Sequence, residues 1–425
     1  MSSTTSTNSG KRAGTGNGST SGSGGGGGGG ISTPQVNPNW AKLPLFDRKG
    51  WRTMPFGEFA ESVNERVEPA DAAEEIYVGL DDLDSGNLHI RRWGKGSDVI
   101  GTKLRFRKGD MIFGRRRAYQ RKLAVAETDG ICSAHAMVTR AKAEVVLPEF
   151  LPFLMMSDRF MNRAVEISVG SLSPTINWTT LKHEPFTLPP LDEQRRIAEI
   201  LWAVDEAQQA FEKSSQAAVI VRRTKMQEAF SDRNYPTVTI RESGDVQLGR
   251  QRAPKYQTGA FTKPYLRVAN VFDGFIDYSD VLEMDFDQRD FQTYSLSAGD
   301  ILLNEGQSRE LVGRCAIYDG KLPECCFQNT LIRYRIGEEL LTDYAFAFFQ
   351  HCFHTGVFAA ISSQTTSIAH LGADRFAKLR IPIPPKREQQ KIADTYARIR
   401  KAELANLEHL SKINELRASI VNVVT

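Results

Sequence analysis

"TLPPLDEQRRIAEIL" (187–201) and "PIPPKREQQKIADTY" (382–396) are one phrase written twice. In each, paired prolines give way to a charged helix start and then to an apolar rhythm, and Glu388 follows Glu193 by 195 positions. Proline ahead of the first turn suits backbone that has no intrahelical acceptor to satisfy. Carboxylates such as Asp192 and Glu193 sit favourably against the positive end of the helix dipole. Beyond the first phrase no Gly or Pro occurs until past residue 230, and apolar residues fall at Ile197, Ile200, Val204, Ala207, Phe211, Ala218 and Val221, interrupted by Ser214. Beyond the second, Ile392, Ile399, Ala402, Ile413, Leu416, Ile420 and Val423 keep a similar rhythm, with Asn406 and His409 on the same seam. The pattern predicts two helices of about 39 residues, roughly 58 Å each at 1.5 Å per residue. Equal length, start signal and stripe favour mutual antiparallel pairing as a coiled coil over packing of each helix on its own domain. Polar seam residues would cost stability but fix register.

The segments ahead of each phrase are also duplicated. From about Trp40 to residue 190 run short β-type stretches, "EIYVGL", "LRFRKGDMIFG", "KLAVAE" and "ICSAHAMVTR", followed by the helical "LPEFLPFLMMSDRFMNRAV". Residues 235–385 repeat the order with "KPYLRVANV", "GDILLNEG", "GRCAIYD", "TLIRYRI" and the helical "TDYAFAFFQHCFHTGVFAAI". Tyr77 aligns with Tyr265 and "KGDMIF" (108–113) with "AGDILL" (298–303), so the chain is a tandem duplication of one α+β unit. The expected boundaries are a Ser/Thr/Gly-rich tail at 1–35, a first domain at 36–190, a central helix at 191–233, a second domain at 234–386 and a C-terminal helix at 387–425. The tail cannot bury a core and reads as flexible.

Composition bounds the setting. At 425 residues there is room for two or three cores. No run approaches the 18 or so apolar residues of a membrane span, and no apolar signal core opens the chain. Five cysteines with no C-x-x-C pair suit a reducing cytoplasm better than a disulfide framework. The net charge of +3 is uninformative, but residues 91–122 hold twelve Lys or Arg against Asp98 and Asp110, a local balance of +10. A basic island interleaved with Trp93, Phe106, Phe113 and Tyr119 is the electrostatic footprint of a polyanion partner, most often nucleic acid, with a solvated basic face as the alternative.

Catalytic signatures are sparse. No G-x-x-x-x-G-K-[ST] appears, and the glycine run at 24–30 follows no strand. "NPNW" (37–40) has no cofactor-binding βαβ unit beside it, and "GDILLNEG" has no E-x-K after it to complete a nuclease motif. "HCFH" (351–354) puts His351 and His354 on one helical face, but no matching Cys or His pair stands at ligand spacing, so ordinary helix histidines are expected.

The duplicated α+β unit, each copy ending in PP(L/K)xEQxxIA and a long helix, resembles the specificity subunit of Type I restriction–modification systems over residues 40–425. The second copy departs by Lys386-Arg387 where Leu is more usual, and the tail is no part of the pattern. The segments "VGSLSPTINWTTLKHEPFTLPP" and "SSQTTSIAHLGADRFAKLRIPIPP", with Ser171 and Gln364–Ser367, also look like family loops. The resemblance implies two target-recognition domains, each reading half of a bipartite double-stranded DNA site. It implies that the paired helices act as a ruler and dock two methyltransferase subunits, joined by motor-nuclease subunits for cleavage. It implies no catalysis or cofactor in this chain, with S-adenosylmethionine, ATP and Mg²⁺ on the partners. A methylation-only or fused-nuclease system would use a chain of the same appearance, and a coiled-coil protein scaffold is the alternative of another class.

Arg and Lys supply phosphate attraction, while base edges are read by Arg to guanine, Asn or Gln to adenine, and Glu or Asp to cytosine. The first domain's candidates are Arg91, Arg92, Arg105, Arg107, Arg115, Arg116, Arg117, Tyr119, Gln120 and Arg121. The second domain's candidates are Arg250, Arg252, Lys255, Tyr256, Asn304, Glu305, Gln307 and Arg309.

Overall fold

The computed structural model describes residues 48–231, 234–253, 257–364 and 367–423. The Ser/Thr/Gly tail, Trp40, Lys255 and Tyr256 lie outside the described residues. Two copies of one mixed architecture are present. In the first, a four-stranded sheet runs in the order Ala60–Val63, Met137–Ala141, Met111–Phe113, Leu123–Val125. In the second, the order Gly244–Leu248, Leu331–Ile336, Ile301–Asn304, Cys315–Ile317 repeats it. Each copy also has a parallel pair carrying the aligned tyrosines, Tyr77 opposite Ile131 and Tyr265 opposite Cys326.

The aligned "GD" dipeptides have the same duty in both copies. Asp110 and Asp300 are buried. Each accepts a backbone N–H three residues upstream (Arg107 2.8 Å, Ser297 2.7 Å) and a two-pronged guanidinium from a neighbouring strand, Arg140 or Arg335. Two runs expected as single helices are broken. Ser157 caps a new start, accepting from Phe160 N at 3.2 Å, so Leu151–Met156 and Asp158–Glu166 are separate helices. Gly356 at φ 78° ends Thr342–His354 before Val357–Ile361 begins.

The repeated phrase becomes two long helices, Leu191–Phe230 and Lys386–Val423. The repeated wording explains itself in Gln194 and Gln389, both fully buried. Gln194 donates to the carbonyls of Val145 (3.1 Å) and Pro189 (2.9 Å) and accepts from Leu147 N (2.8 Å). Gln389 donates to Glu339 O and Pro384 O (both 2.9 Å) and accepts from Leu341 N (2.8 Å). Each amide pins its helix start to its own domain.

The helices then pack on one another, and each also enters both domains. Ile197, Ala198 and Leu201 from the first helix and Val421 from the second join the first domain's core. Met226 and Phe230 meet Tyr396 and the Ala347 face of the second domain. The domains therefore sit at opposite ends of an antiparallel pair.

The seam differs from the expected apolar stripe. On the C-terminal helix the inward positions are Tyr396, Ile399, Glu403, Asn406, Leu410, Ile413, Arg417 and Ile420, a strict 3–4 alternation with two charges inside it. Ala402, Leu416 and Val221, expected on the seam, are exposed instead. Charged partners take the facing positions: Arg222 donates to Glu403 at 2.8 Å, and Arg417 lies 3.4 Å from Asp205, all four side chains buried. Between these stations His409 stacks on Phe211, ring centroids 5.0 Å apart, and Asn406 donates to Ser214 Oγ at 3.0 Å. Replacing a buried pair by hydrophobes is often neutral, but orphaning one partner is costly, so such pairs specify register more than strength.

Both stations extend into the domains. His89 bridges Asp205 (2.6 Å) and Glu127 (2.7 Å), and the Asp205 hydrogen bond raises its pKa. Arg400 joins Glu403 (3.0 Å) to Asp273 (3.0 Å), which His354 also approaches at 3.4 Å. His354 is thereby engaged and His351 is buried against Phe230, 5.3 Å between centroids. No group of three or more His, Cys, Asp or Glu is placed to hold a metal among the described residues, and none of their helices is long and apolar enough to cross a membrane.

Candidate nucleic-acid interface

The basic loop 114–122 leaves the sheet after Met111–Phe113 and is closed by Gly114 N donating to Lys122 O at 2.9 Å. Arg117 (φ 59°) and Arg121 (φ 52°) both adopt the left-handed conformation around the turn Ala118–Gln120. That conformation costs a non-glycine residue about 1–2 kcal/mol. Buried Ala118 plugs the turn into the core, and Arg117 N donates to Pro174 O at 2.7 Å, which holds the loop in place.

Pro174 belongs to the pre-helix segment. Val169 and Thr175 exchange both backbone hydrogen bonds around Gly170 at φ 107°, making a small hairpin. The hairpin zips onto the basic loop through Ile176 N to Arg115 O (3.0 Å) and an Arg116–Thr175 bridge, while Arg116 reaches Ser173 Oγ at 3.3 Å. Leu172 at its tip is 92% exposed, an apolar side chain with no core to enter.

The second domain builds the same composite. Leu371 N donates to Glu305 O at 2.7 Å, Gly306–Gln307 pairs with Ala369–His370, and Ser363–Gln364 forms the outer strand. Glu305 Oε2 lies 3.0 Å from His370 Nδ1. Arg375 braces the hairpin from behind, donating to His370 O (2.6 Å) and Ser363 Oγ (2.9 Å). The neighbouring loop 257–262 is gathered by Asp285. Burial pushes its carboxyl up, but hydrogen bonds from Thr258, Gly259 N and Phe261 N outweigh that and hold it at about 2.

A family model for the Type I restriction modification DNA specificity domain matches residues 49–220 and again 241–417. The chain belongs to that family. Similar curated specificity subunits are those of the Escherichia coli Type I restriction enzymes EcoDI, 28% identical over 156 residues, and EcoKI, 23% identical over 303 residues. The EcoDI match spans 35% of this chain and 33% of that protein, and the EcoKI match 65% of each, so the chain spans less than two thirds of the length of these relatives. In fold it is similar to the S subunit from M. genitalium (TM-score 0.59, 14% identity, 90% of this chain and 98% of that one). It is also similar to a chain solved for the complex assembly of a type I R-M system (TM-score 0.55, 21% identity, 88% and 97%).

Within this specificity-family fold the sequence candidates divide into two groups. Arg115, Arg116, Arg117, Tyr119 and Gln120 share the first composite face, with Arg117 and Tyr119 exposed. Arg121 lies at the loop's end, ion-paired to Asp158, whose carboxyl that hydrogen bond lowers. Glu305 and Gln307 share the second face, and exposed Arg309 follows them; Gln307 Oε1 accepts from Ser308 N at 3.1 Å.

The other candidates lie elsewhere or are engaged. Arg91 pairs with Glu212 on the central helix, and Arg92 holds Asp84 at 2.7 Å. Arg105 is shared by Glu75 (2.7 Å) and Glu65 (3.2 Å), with Arg107 3.6 Å from Glu65. Arg250 pairs with Asp290 at 2.6 Å and covers the Phe286 ring, whereas Arg252 is exposed. Asn304 is fully buried, its amide donating to Val271 O at 3.3 Å, so in this conformation it presents nothing outward. The hairpins themselves, with Ser173 and His370, were not among the candidate residues. Gly170-Ser171 and the polar run around Ser367 were the available signal.

Proposed function

We propose that this chain is the DNA sequence-specificity subunit of a Type I restriction–modification complex, each domain reading one half of a bipartite double-stranded site. The observation that carries the reading is the pair of equivalent loop–hairpin faces, held at opposite ends of a helix pair whose register is fixed by buried charges. Arg115, Arg116, Arg117, Tyr119 and Gln120 serve the first half-site, with Arg121 tethered at the loop's end by Asp158, and Glu305, Gln307, Arg309 and Arg252 serve the second. Arg91, Arg92, Arg105, Arg107, Arg250 and Asn304 brace the framework behind them. Phosphate contacts set position and the faces' donors and acceptors select bases.

The helix pair serves as ruler and dock. Val219, Ile220 and Val221 on the central helix and Leu404 and Leu407 on the C-terminal helix are large apolar side chains exposed to solvent. They suit two methyltransferase subunits, which bring S-adenosylmethionine, and motor-nuclease subunits bring ATP and Mg²⁺. This chain contributes recognition and geometry without catalysis, in the cytoplasm. Genome-wide mapping of modified bases with and without the gene tests the reading. Loss of one bipartite methylated motif is expected, and a motif set unchanged by the deletion in a strain expressing the partners refutes it.

A further inference from the structure

The two composite faces correspond position for position. Leu371 N meets Glu305 O as Ile176 N meets Arg115 O, and His370 pairs with Gly306 as Thr175 bridges Arg116. Ala369 pairs with Gln307 where Pro174 O receives Arg117 N. Arg115 therefore stands where Glu305 stands, and Arg117 where Gln307 stands. One scaffold carries a run of guanidinium groups in the first copy, with Arg115 donating to Ala134 O at 3.1 Å and Arg117 exposed, and a carboxylate at the same place in the second.

That inversion has chemical content. A guanidinium only donates hydrogen bonds, and an ionised carboxylate only accepts them. A face that merely attracted phosphate would have no use for a carboxylate there, since like charges repel. Glu305 is also built in. Its side chain is 16% exposed, and its carboxylate lies 3.0 Å from His370 Nδ1, which fixes its position. Of the cations around it, Arg375 is occupied by His370 O and Ser363 Oγ, while Arg309 and Arg252 are exposed beside the face. At the corresponding position the second face thus offers a carboxylate acceptor where the first offers guanidinium donors. In the major groove guanine offers acceptors at N7 and O6, whereas cytosine N4 and adenine N6 offer donors.

We propose that the two domains read base edges through groups of opposite hydrogen-bond polarity. The Arg115–Arg117 run takes the acceptor edge of guanine, and Glu305, held by His370, takes an exocyclic amine of cytosine or adenine. Glu305 is then a specificity-determining residue of the second domain. The inference rests on the reading that these faces meet DNA, and adds which atoms they seek.

The test uses the full chain in complex with its methyltransferase subunits, on duplex oligonucleotides carrying its mapped methylation motif. In one half-site single atoms are removed by base analogues: pyrimidin-2-one deoxyriboside and purine deoxyriboside lack the exocyclic amine, and 7-deazaguanine lacks N7. Wild type is expected to lose about tenfold in affinity when the amine read by the second domain is deleted. Glu305→Gln is expected to lose a similar factor on the unmodified site and little more on the amine-deleted one, because both changes remove the same contact. Arg117→Ala is expected to couple in that way to 7-deazaguanine in the other half-site. Glu305→Asp, which keeps the charge, is a second variant, and thermal unfolding of each complex verifies that it is folded. Additive losses for Glu305→Gln and every amine deletion, or coupling of Glu305 to N7, overturn the inference while leaving the DNA-reading function intact. Equal affinity of wild type for the motif and for unrelated duplex overturns both.

Discussion

Lengthening both long helices by four residues, after Ser214 in one and after Asn406 in the other, should widen the gap in the recognised site. The insertion points face each other, with Asn406 donating to Ser214 Oγ at 3.0 Å. The buried pairs Asp205–Arg417 and Arg222–Glu403 lie on either side of them, so each pair and the domain beside it stay together. Four residues add about 6 Å and about 400° of rotation, roughly 40° beyond a full turn. At about 3.4 Å per base pair the gap should grow by one or two pairs. A single insertion in the central helix behaves differently. It carries Arg222 one turn past Glu403 while Gln389 still anchors the second domain to the other helix, and orphaning such a buried pair costs about 3–5 kcal/mol. Modified-base mapping in cells expressing the methyltransferase subunits reads the result. Unchanged half-sites with a longer gap support the reasoning. An active doubly inserted variant with the original gap refutes it, as does a single insertion that is fully stable.

Other consequences can be checked separately. Changing Arg115, Arg116 and Arg117 together to Ala should flatten the salt dependence of DNA binding, by about 0.9 in log K against log salt for each lost phosphate contact; filter binding across a salt series measures it. Gln194→Ala leaves Val145 O, Pro189 O and Leu147 N short of partners and should cost about 1–3 kcal/mol for each group left buried and unpaired, seen as earlier unfolding of the first domain by hydrogen exchange. His89 gives a pH signature. Its pKa is raised by the Asp205 hydrogen bond first and by Glu127 as well, against burial, so the charged form is favoured in the folded state. The stabilisation is complete below the unfolded value of about 6.5 and fades as pH rises through the higher folded value. Thermal unfolding of wild type should therefore lose more on going from pH 6 to 8.5 than that of His89→Gln.

Duplication, helix starts and helix pairing were legible because each leaves a repeated local mark: proline, acid, glutamine and a 3–4 rhythm. The seam's composition was not. Glu403 and Arg417 occupy inward positions, and a rule that seeks apolar residues passes over charges whose partners lie 181 and 212 positions away. The broken helices at Ser157 and Gly356 were readable in principle, since a serine before Asp158 and a glycine are ordinary punctuation. The candidate faces were legible as loops of suitable chemistry, yet Arg91 and Arg105 look no different in sequence from Arg117. Only the placement of Glu212, Glu75 and Glu65 shows which cations are engaged within the chain. The correspondence of Arg115 with Glu305 follows from the same offset of 190 that aligns "KGDMIF" with "AGDILL", whereas their hairpin partners, Thr175 and His370, are 195 apart and needed the backbone pairing.

The buried charge stations also decide where compliance resides. A helix pair that cannot slip without stranding Arg222 or Asp205 behaves as a strut of fixed length. In the proposed complex, a target whose two half-sites are slightly misphased must accommodate by twisting or stretching the DNA. The base pairs between the half-sites, touched by neither domain, then enter the affinity through their stiffness. Flexible pyrimidine–purine steps in the gap would ease binding, and rigid A-tracts would oppose it, so that the unread part of the site is weighed mechanically.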